Sequence, residues 1–178
     1  MRTTRLSLLL IWLALTMSVQ GQVTETAFDP SQLTVDGKKD FETLLNVNLF
    51  ALGGTGYGGE ISSGELALRE LVQERHATAA LRQLVSTANA EGGLYALLGL
   101  KLLKCDCIGS EYERFLSLPE LEAKTNKGWL PTKKGFVRRM AGCIGFQEAR
   151  TKVARDILEG SEEIDWAIKH WPAFIPGN

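Results

Sequence analysis

The ten residues from 94 to 103 (LYALLGLKLL) are apolar on every side of a helix, with Lys101 as the only charged residue among them. A helix without a polar face has to lie in the middle of a fold, surrounded by other elements. Gly99 interrupts this helix, although glycine costs about 1 kcal/mol relative to alanine at such a position. We therefore predict a central helix with another helix packed closely against Gly99.

Amphipathic patterns on both sides of this segment predict its packing partners. Apolar residues recur at helical spacing over residues 40–52, 63–75, 78–88, 149–158 and 161–171. Ser62 and Glu65 have the spacing of a capping box, and Gly160 marks a helix end. Residues 134–144 alternate in a way that allows an extended segment, but they show no strand partner. We therefore predict an all-α fold: a compact bundle or HEAT-like array of five to seven short helices with a glycine-rich loop.

The N-terminus has the pattern of a secretory signal peptide. Arg2 and Arg5 precede an apolar run over residues 6–15, which is too short to span a bilayer. Val19 and Gly21 fit the two small-residue pockets of a signal peptidase. We predict cleavage after Gly21, and hence a secreted or periplasmic protein without stable membrane insertion.

The predicted mature chain has the size of one domain. We expect residues 22–39 to form a flexible leader after the signal peptide of residues 1–21, and residues 40–178 to form a single all-α domain. Removing residues 1–21 removes two arginines and no acid, so the net charge changes from −1 to −3. This charge does not favour a nucleic acid partner. The sequence contains no Cys-x-x-Cys or His-Glu-x-x-His pattern. We expect neither a metal nor a cofactor.

The glycine-rich loop (GGTGYGG) has five glycines in seven residues. Gly54, Gly56 and Gly59 match the spacing of the dinucleotide fingerprint, with Glu74 as the acid that follows. Helical patterns flank the loop, however, so we interpret it as a helix-to-helix loop whose glycines allow positive φ and close packing. Alternatively, its amides bind an anion, and Tyr57 at its apex contacts the ligand. Gly54, Gly56, Tyr57 and Gly59 are the predicted binding residues.

Three cysteines, Cys105, Cys107 and Cys143, are the candidates for a disulfide. In an exported protein a pair normally closes. Cys105 and Cys107 are so close in sequence that a bond between them requires a small strained ring. A bond from one of them to Cys143 is therefore the more natural expectation. The third thiol is either buried and inert or reactive.

A local group of basic residues lies beside aromatic ones. Lys133, Lys134, Arg138 and Arg139 are next to Phe136 in sequence, and such interleaving can bind phosphate, glycan or nucleic acid. Because the mature chain is acidic overall, we interpret these side chains as a solvated face.

Two resemblances concern the setting of the protein. Residues 66–103, with short amphipathic helices joined by tight turns, resemble the helical hairpins of HEAT and armadillo solenoids. Residues 53–59, 95–100 and 141–144 together are similar to a group of small exported bacterial proteins of unassigned function. The second resemblance implies a bacterial envelope setting and no particular chemistry.

A third resemblance concerns catalysis. Asp106, Cys107, Ile108 and Gly109 are similar to the Asp-Cys-Ser-Gly nucleophile motif of NlpC-type cell-wall peptidases, with Ile108 in place of the serine. A thiolate needs a base, for which His170 is available.

We predict an exported, non-enzymatic protein that binds an unknown protein or envelope ligand through the glycine-rich loop. The alternative is an envelope thiol enzyme, a cysteine hydrolase that uses Cys107 or Cys143 with His170. These two hypotheses differ in the state of the cysteines, since only the enzyme needs an accessible thiolate.

Overall fold

A computed structural model describes residues 27–119 and 133–169 of the chain. These residues form seven α-helices: α1 (Val35–Asn46), α2 (Ser63–Leu71), α3 (Ala77–Thr87), α4 (Ala90–Leu102), α5 (Ile108–Ser117), α6 (Arg150–Glu159) and α7 (Glu162–Lys169). They also form four strands: β1 (Phe50–Thr55), β2 (Glu60–Ile61), β3 (Phe136–Gly142) and β4 (Ile144–Ala149). One hydrophobic core takes side chains from all seven helices and from β1 and β3.

The four strands form one mixed sheet in the order β2-β1-β3-β4. β1 and β2 form one antiparallel hairpin, and β3 and β4 form a second. The two hairpins lie side by side because β1 pairs with β3 in parallel. Since β1 and β3 run in the same direction, the turns of both hairpins lie at the same end of the sheet.

The all-α prediction is therefore wrong, and the chain is an α/β fold rather than a helical bundle or array. α1 ends at Asn46, and β1 occupies residues in which the sequence favours a helix up to Leu52. Gly53 and Gly54 have no side chains to alternate between the faces of the strand, so β1 lacks the usual strand pattern. Its parallel partner is remote in sequence and leaves no local signal.

The extended segment expected within residues 134–144 is present as β3. Ala141 and Ile144 are register partners, so the turn between β3 and β4 consists of Gly142 and Cys143. Gly142 has a φ of 55°. A positive φ at the first central residue is the requirement of a type II′ hairpin turn, and it favours glycine there.

The predicted central helix is confirmed as α4. Of its 13 residues 11 are buried, and its neighbours include α1, α2, α3, α5 and α6 together with two strands of the sheet. A Cβ atom at Gly99 would lie 2.8 Å from side-chain atoms of Leu68 in α2 and Leu81 in α3. Glycine thus permits the close approach that the sequence predicts at this point.

The first helix begins earlier than the pattern from Asp40 onward indicates. Thr34 caps α1, because its hydroxyl oxygen accepts a hydrogen bond from the N–H of Gly37 at 3.0 Å. The predicted signal peptide and the first residues of the predicted leader lie outside the described residues. None of the helices within 27–119 and 133–169 is long and apolar enough to cross a membrane.

Candidate functional site

The glycine-rich loop is the turn of the first hairpin, and it lies directly beside the turn of the second. We call residues 55–59 and 142–143 the paired turns. The N–H of Gly56 donates a hydrogen bond to the carbonyl oxygen of Gly142 at 2.8 Å, and Thr55 is in register with Gly142. The hydroxyl of Thr55 also donates to the carbonyl oxygen of Glu60 at 2.9 Å. Main-chain and side-chain bonds therefore hold the paired turns in one arrangement.

Two of the predicted binding glycines are required by this geometry, for different reasons. A Cβ atom at Gly54 would lie 2.8 Å from the carbonyl oxygen of Gly59, a distance that does not leave room for a side chain. Gly56 has open space around it, but its φ of 69° lies in the left-handed region. The backbone of the turn therefore requires glycine at both positions.

All four predicted binding residues, Gly54, Gly56, Tyr57 and Gly59, lie in this first hairpin. Tyr57 is fully exposed at its apex. The second turn adds Cys143, an exposed free cysteine that the sequence does not connect with the loop. The signal that points to this second turn is the glycine immediately before the cysteine, which is a hairpin-turn signal of its own.

The loop is neither a dinucleotide site nor a connection between helices. It joins two antiparallel strands, whereas the fingerprint requires a strand followed by a helix. The anion alternative would need free amides. The N–H of Gly53 donates to Glu65 at 2.7 Å, that of Gly56 donates to Gly142, and that of Gly59 donates to the carbonyl oxygen of Gly56. These three amides therefore already have partners, and Tyr57 is the large side chain that the loop presents.

Tyr95 of the central helix supports the base of the first hairpin. Its phenolic oxygen accepts a hydrogen bond from the N–H of Ala51 at 2.9 Å and donates to the carbonyl oxygen of the same residue at 2.7 Å. The hydroxyl of Ser62 lies 2.9 Å from the same phenolic oxygen. Burial of the side chain raises the pKa of Tyr95 to about 12, even though the hydrogen bonds to Ser62 and Ala51 act in the opposite direction.

Glu65 provides a second support. It is buried in the first turn of α2, where one carboxylate oxygen accepts from the N–H of Gly53 and the other lies 2.5 Å from a guanidinium nitrogen of Arg69. The N–H of Glu65 donates to the hydroxyl of Ser62, as the predicted capping box requires. The glutamate side chain, however, does not return to the cap. It holds the beginning of the glycine-rich segment instead.

Arg139 of β3 connects the sheet to α7. Its guanidinium is buried, lies 2.6 Å from Glu148 and forms a second ion pair with Glu163. Burial alone would lower the pKa of Arg139, but the hydrogen bonds to these two carboxylates outweigh it and raise the pKa. Trp166 of α7 covers the hairpin base, since a Cβ atom at Gly53 would lie 3.3 Å from its ring. The helix is therefore positioned beside the first hairpin.

The cysteines are arranged differently from the expectation. Cys105 and Cys107 form a disulfide with each other, so the expected bond from one of them to Cys143 is not the one that the structure contains. The expectation failed because the chain makes a tight turn there, in which the N–H of Cys107 also donates to the sulfur of Cys105. Cys107 consequently has no thiolate. His170 lies outside the described residues.

The basic residues do not form one surface. Arg138 and Arg139 are buried, while Lys133 and Lys134 are exposed. The main chain of Arg138 donates to the carboxylate of Glu91 at 3.0 Å. The interpretation of these four side chains as a solvated face is therefore wrong for the two arginines, which are buried, and the guanidinium of Arg139 binds the carboxylates of Glu148 and Glu163.

No family model, curated protein or solved structure matches this chain. The resemblances to HEAT repeats and to small exported bacterial proteins stay predictions, and function has to follow from the site itself.

Proposed function

We propose that the protein is an exported, non-enzymatic binding module and that the paired turns, with Tyr57 at their apex, are its contact site. The observation that carries this proposal is the exposure of Tyr57 at the apex of a hairpin whose main chain is hydrogen-bonded by three neighbours. The neighbouring turn, Tyr95 and Glu65 provide the three supports.

Such an arrangement suits binding because the turn is already ordered before a partner arrives. Ordering a flexible loop on association costs free energy, and a loop held in advance avoids most of that loss. Tyrosine is enriched among the residues that dominate binding energy, since its ring is large and has few rotatable bonds. A fully exposed tyrosine contributes no packing energy to the fold, so its ring is available to a partner.

The chemistry of the surface indicates an uncharged partner. Residues 53–59 contain no charged side chain, and neither do residues 140–147. A partner with a high charge density, such as nucleic acid, would need basic groups at this surface. We therefore propose an uncharged protein surface or envelope ligand. The predicted signal peptide of residues 1–21 supports the envelope setting.

A site-specific photo-crosslinker tests this contact. A photoreactive phenylalanine replaces Tyr57 in one variant and exposed Val35, at the start of α1, in the control. We expect one defined product from position 57 in exported extracts, which mass spectrometry identifies, and no such product from position 35. The purified partner should then bind Tyr57→Ala at least tenfold more weakly than Val35→Ala. Equal binding by the two alanine variants would refute the proposed site.

The thiol enzyme is the weaker proposal. Cys107 is in a disulfide, and no histidine among the described residues is shown beside Cys143. Nothing specific in the fold favours this activity.

A further inference from the structure

We infer that β4 is a self-association edge, at which two copies of the chain pair antiparallel with Gly145 opposite Gly145. This inference concerns the sheet edge that follows the second turn, and it does not depend on the proposed contact of Tyr57. Among residues 27–119 and 133–169, β4 is one edge of the sheet, and the opposite edge, β2, has only two residues. Exposed strand edges pair with other strands unless charges, prolines or bulges prevent it. The first four residues of β4 contain no charge and no proline.

The side chains of this edge are apolar and open to solvent. Ile144 is 72% exposed and Phe146 is 40% exposed, and Gly145 between them is also exposed. Side chains two residues apart on a strand point to the same face. Ile144 and Phe146 therefore form a small apolar pair on one face of an open edge.

The register shows which main-chain groups of β4 point away from β3. The N–H of Arg150 donates to the carbonyl oxygen of Gly135 at 3.0 Å, which makes these two residues a hydrogen-bonded pair. Such pairs recur at every second residue of an antiparallel ladder, so the even-numbered residues of β4 bond to β3. Gly145 therefore directs its N–H and its carbonyl oxygen to the open edge, where two copies can exchange both bonds.

Side-chain complementarity selects one register for a twofold pair. With Gly145 at the centre, Ile144 of each copy lies opposite Phe146 of the other, and two apolar contacts form. A centre at Phe146 would place Ile144 opposite Glu148, and a centre at Gln147 would place Phe146 opposite Glu148. Both alternatives set a carboxylate against an apolar side chain, which is unfavourable.

The expected association is weak, because few residues of each copy take part. Interfaces of this size fall at the low end of the range that specific complexes bury. We therefore expect a monomer in dilute solution and a growing dimer fraction as the protein concentration rises.

Disulfide trapping tests the register. Ile144→Cys and Phe146→Cys are made separately, each in full-length protein that also carries Cys143→Ser. In the inferred pair the two new thiols lie opposite each other, with Cα atoms about 4.5 Å apart, within the range of a disulfide. In a solution of one variant alone, the new cysteine of one copy lies two residues out of register with the same cysteine of the other copy. Their Cα atoms are then about 8 Å or more apart, too far for a disulfide. The thiols are oxidised by dissolved oxygen with copper–phenanthroline as the catalyst. As the S–S bond forms, the two thiols lose two electrons to oxygen and release two protons.

We expect the mixture of the two variants to give at least fivefold more covalent dimer than either variant alone. Equal yields of covalent dimer in all three samples would mean that the disulfides form by random collision, and this result would overturn the inference. A dimer from Phe146→Cys alone would overturn the register, since it places the twofold axis at residue 146.

Sedimentation velocity provides an independent measurement that needs no new cysteine. The sedimentation coefficient of the wild type should rise with concentration, and Ile144→Lys should abolish the rise because it brings a charge to the apolar contact. Val35→Lys is the matched control, since Val35 is exposed at the start of α1, and it should behave like the wild type. A sedimentation coefficient of the wild type that keeps the value of the monomer at every concentration would overturn the inference.

Discussion

The phenolic oxygen of Tyr95 lies 2.7 Å from the carbonyl oxygen of Ala51 and 2.9 Å from its amide nitrogen. One side chain of the central helix thus satisfies both main-chain groups of a residue in β1. The pairing of β1 with β3 becomes irregular between Ala51 and Thr55, so the ladder itself is interrupted there. Tyr95 therefore binds the last residue of β1 before this irregularity and fixes the point from which the first hairpin projects.

We expect Tyr95→Phe to destabilise the fold by about 1–3 kcal/mol, because it removes the phenolic oxygen that accepts from the N–H of Ala51 and leaves only the Ser62 hydroxyl, at 3.1 Å, to donate to the carbonyl oxygen of Ala51. Urea unfolding measures the difference. Tyr57→Phe is the matched control, since Tyr57 is fully exposed, and its effect should stay within about 0.5 kcal/mol of zero. Equal stabilities of the two variants would show that the Tyr95 hydroxyl contributes nothing to the hairpin base.

The raised pKa of Tyr95 predicts a loss of stability at high pH. The side chain ionises near pH 10 in the unfolded chain, but only at about 12 in the fold. Between these values the unfolded state releases the proton first. The wild type should therefore lose up to about 1.4 kcal/mol per pH unit relative to Tyr95→Phe. Parallel stability curves for the two proteins from pH 9 to 11.5 would contradict this prediction.

Gly99 predicts an unusual response to alanine. Alanine normally stabilises a helix by about 1 kcal/mol relative to glycine. At Gly99 the new methyl group would meet Leu68 and Leu81 at 2.8 Å, so we expect a net destabilisation of about 1–3 kcal/mol from overpacking. Gly109 in α5 is the control, because a Cβ atom there has nothing within 4 Å. Gly109→Ala should stabilise the protein, and thermal unfolding of both variants checks the opposite signs.

The helical part of the fold could be predicted because it leaves a local signal. The all-apolar segment around Gly99 indicates burial on every side, and the structure confirms it as α4. The strands give no comparable signal, since β1 contains Gly53 and Gly54 and pairs in parallel with a segment far along the chain. A propensity pattern depends on residues that are close together in the sequence. It carries no information about a strand partner from a distant part of the chain.

The candidate site was predicted in the same partial way. Glycine density locates the loop around Tyr57, since such a loop needs backbone conformations that other residues avoid. Gly142 marks the second turn in the sequence, but the position of this turn beside the loop follows only from the pairing of β1 with β3. The disulfide between Cys105 and Cys107 depends on the local turn geometry, which residue spacing alone does not supply.

The ion pairs of Arg139 predict how α7 is held. Glu163→Gln removes one of its two carboxylate partners, so we expect the amides of α7 to exchange with deuterium several-fold faster while α4 stays protected. Glu162→Gln is the control, because Glu162 is exposed in the same helical turn. If both variants accelerate exchange in α7 equally, the effect comes from the charge of the first turn and not from Arg139.

Glu148, the other carboxylate partner of Arg139, predicts how the stability of the fold depends on pH. Burial opposes its ionisation, but hydrogen bonds from Lys152 and Arg139 outweigh that effect and lower the pKa of the carboxyl below its ordinary value near 4.5. A lowered pKa stabilises the fold above the pKa of the unfolded chain, and this contribution disappears as the pH falls through the folded value. Glu148→Gln should therefore be less stable than the wild type at pH 7 and equal to it near pH 2. A constant difference across that range would mean that Glu148 acts by packing and not by charge.

The cysteine arrangement predicts the outcome of thiol alkylation on the intact exported protein. Cys143 is exposed and free, so one alkyl group should add before reduction and three after it. Peptide mapping should find the single label on Cys143, and the mass should correspond to a chain that begins at Gln22 if the predicted cleavage is right. A label on Cys105 or Cys107 before reduction would contradict the disulfide and make a thiolate at Cys107 chemically available again. In that case Cys107 is again a candidate nucleophile for the hydrolase hypothesis, and the Cys107→Ala variant decides between binding and catalysis.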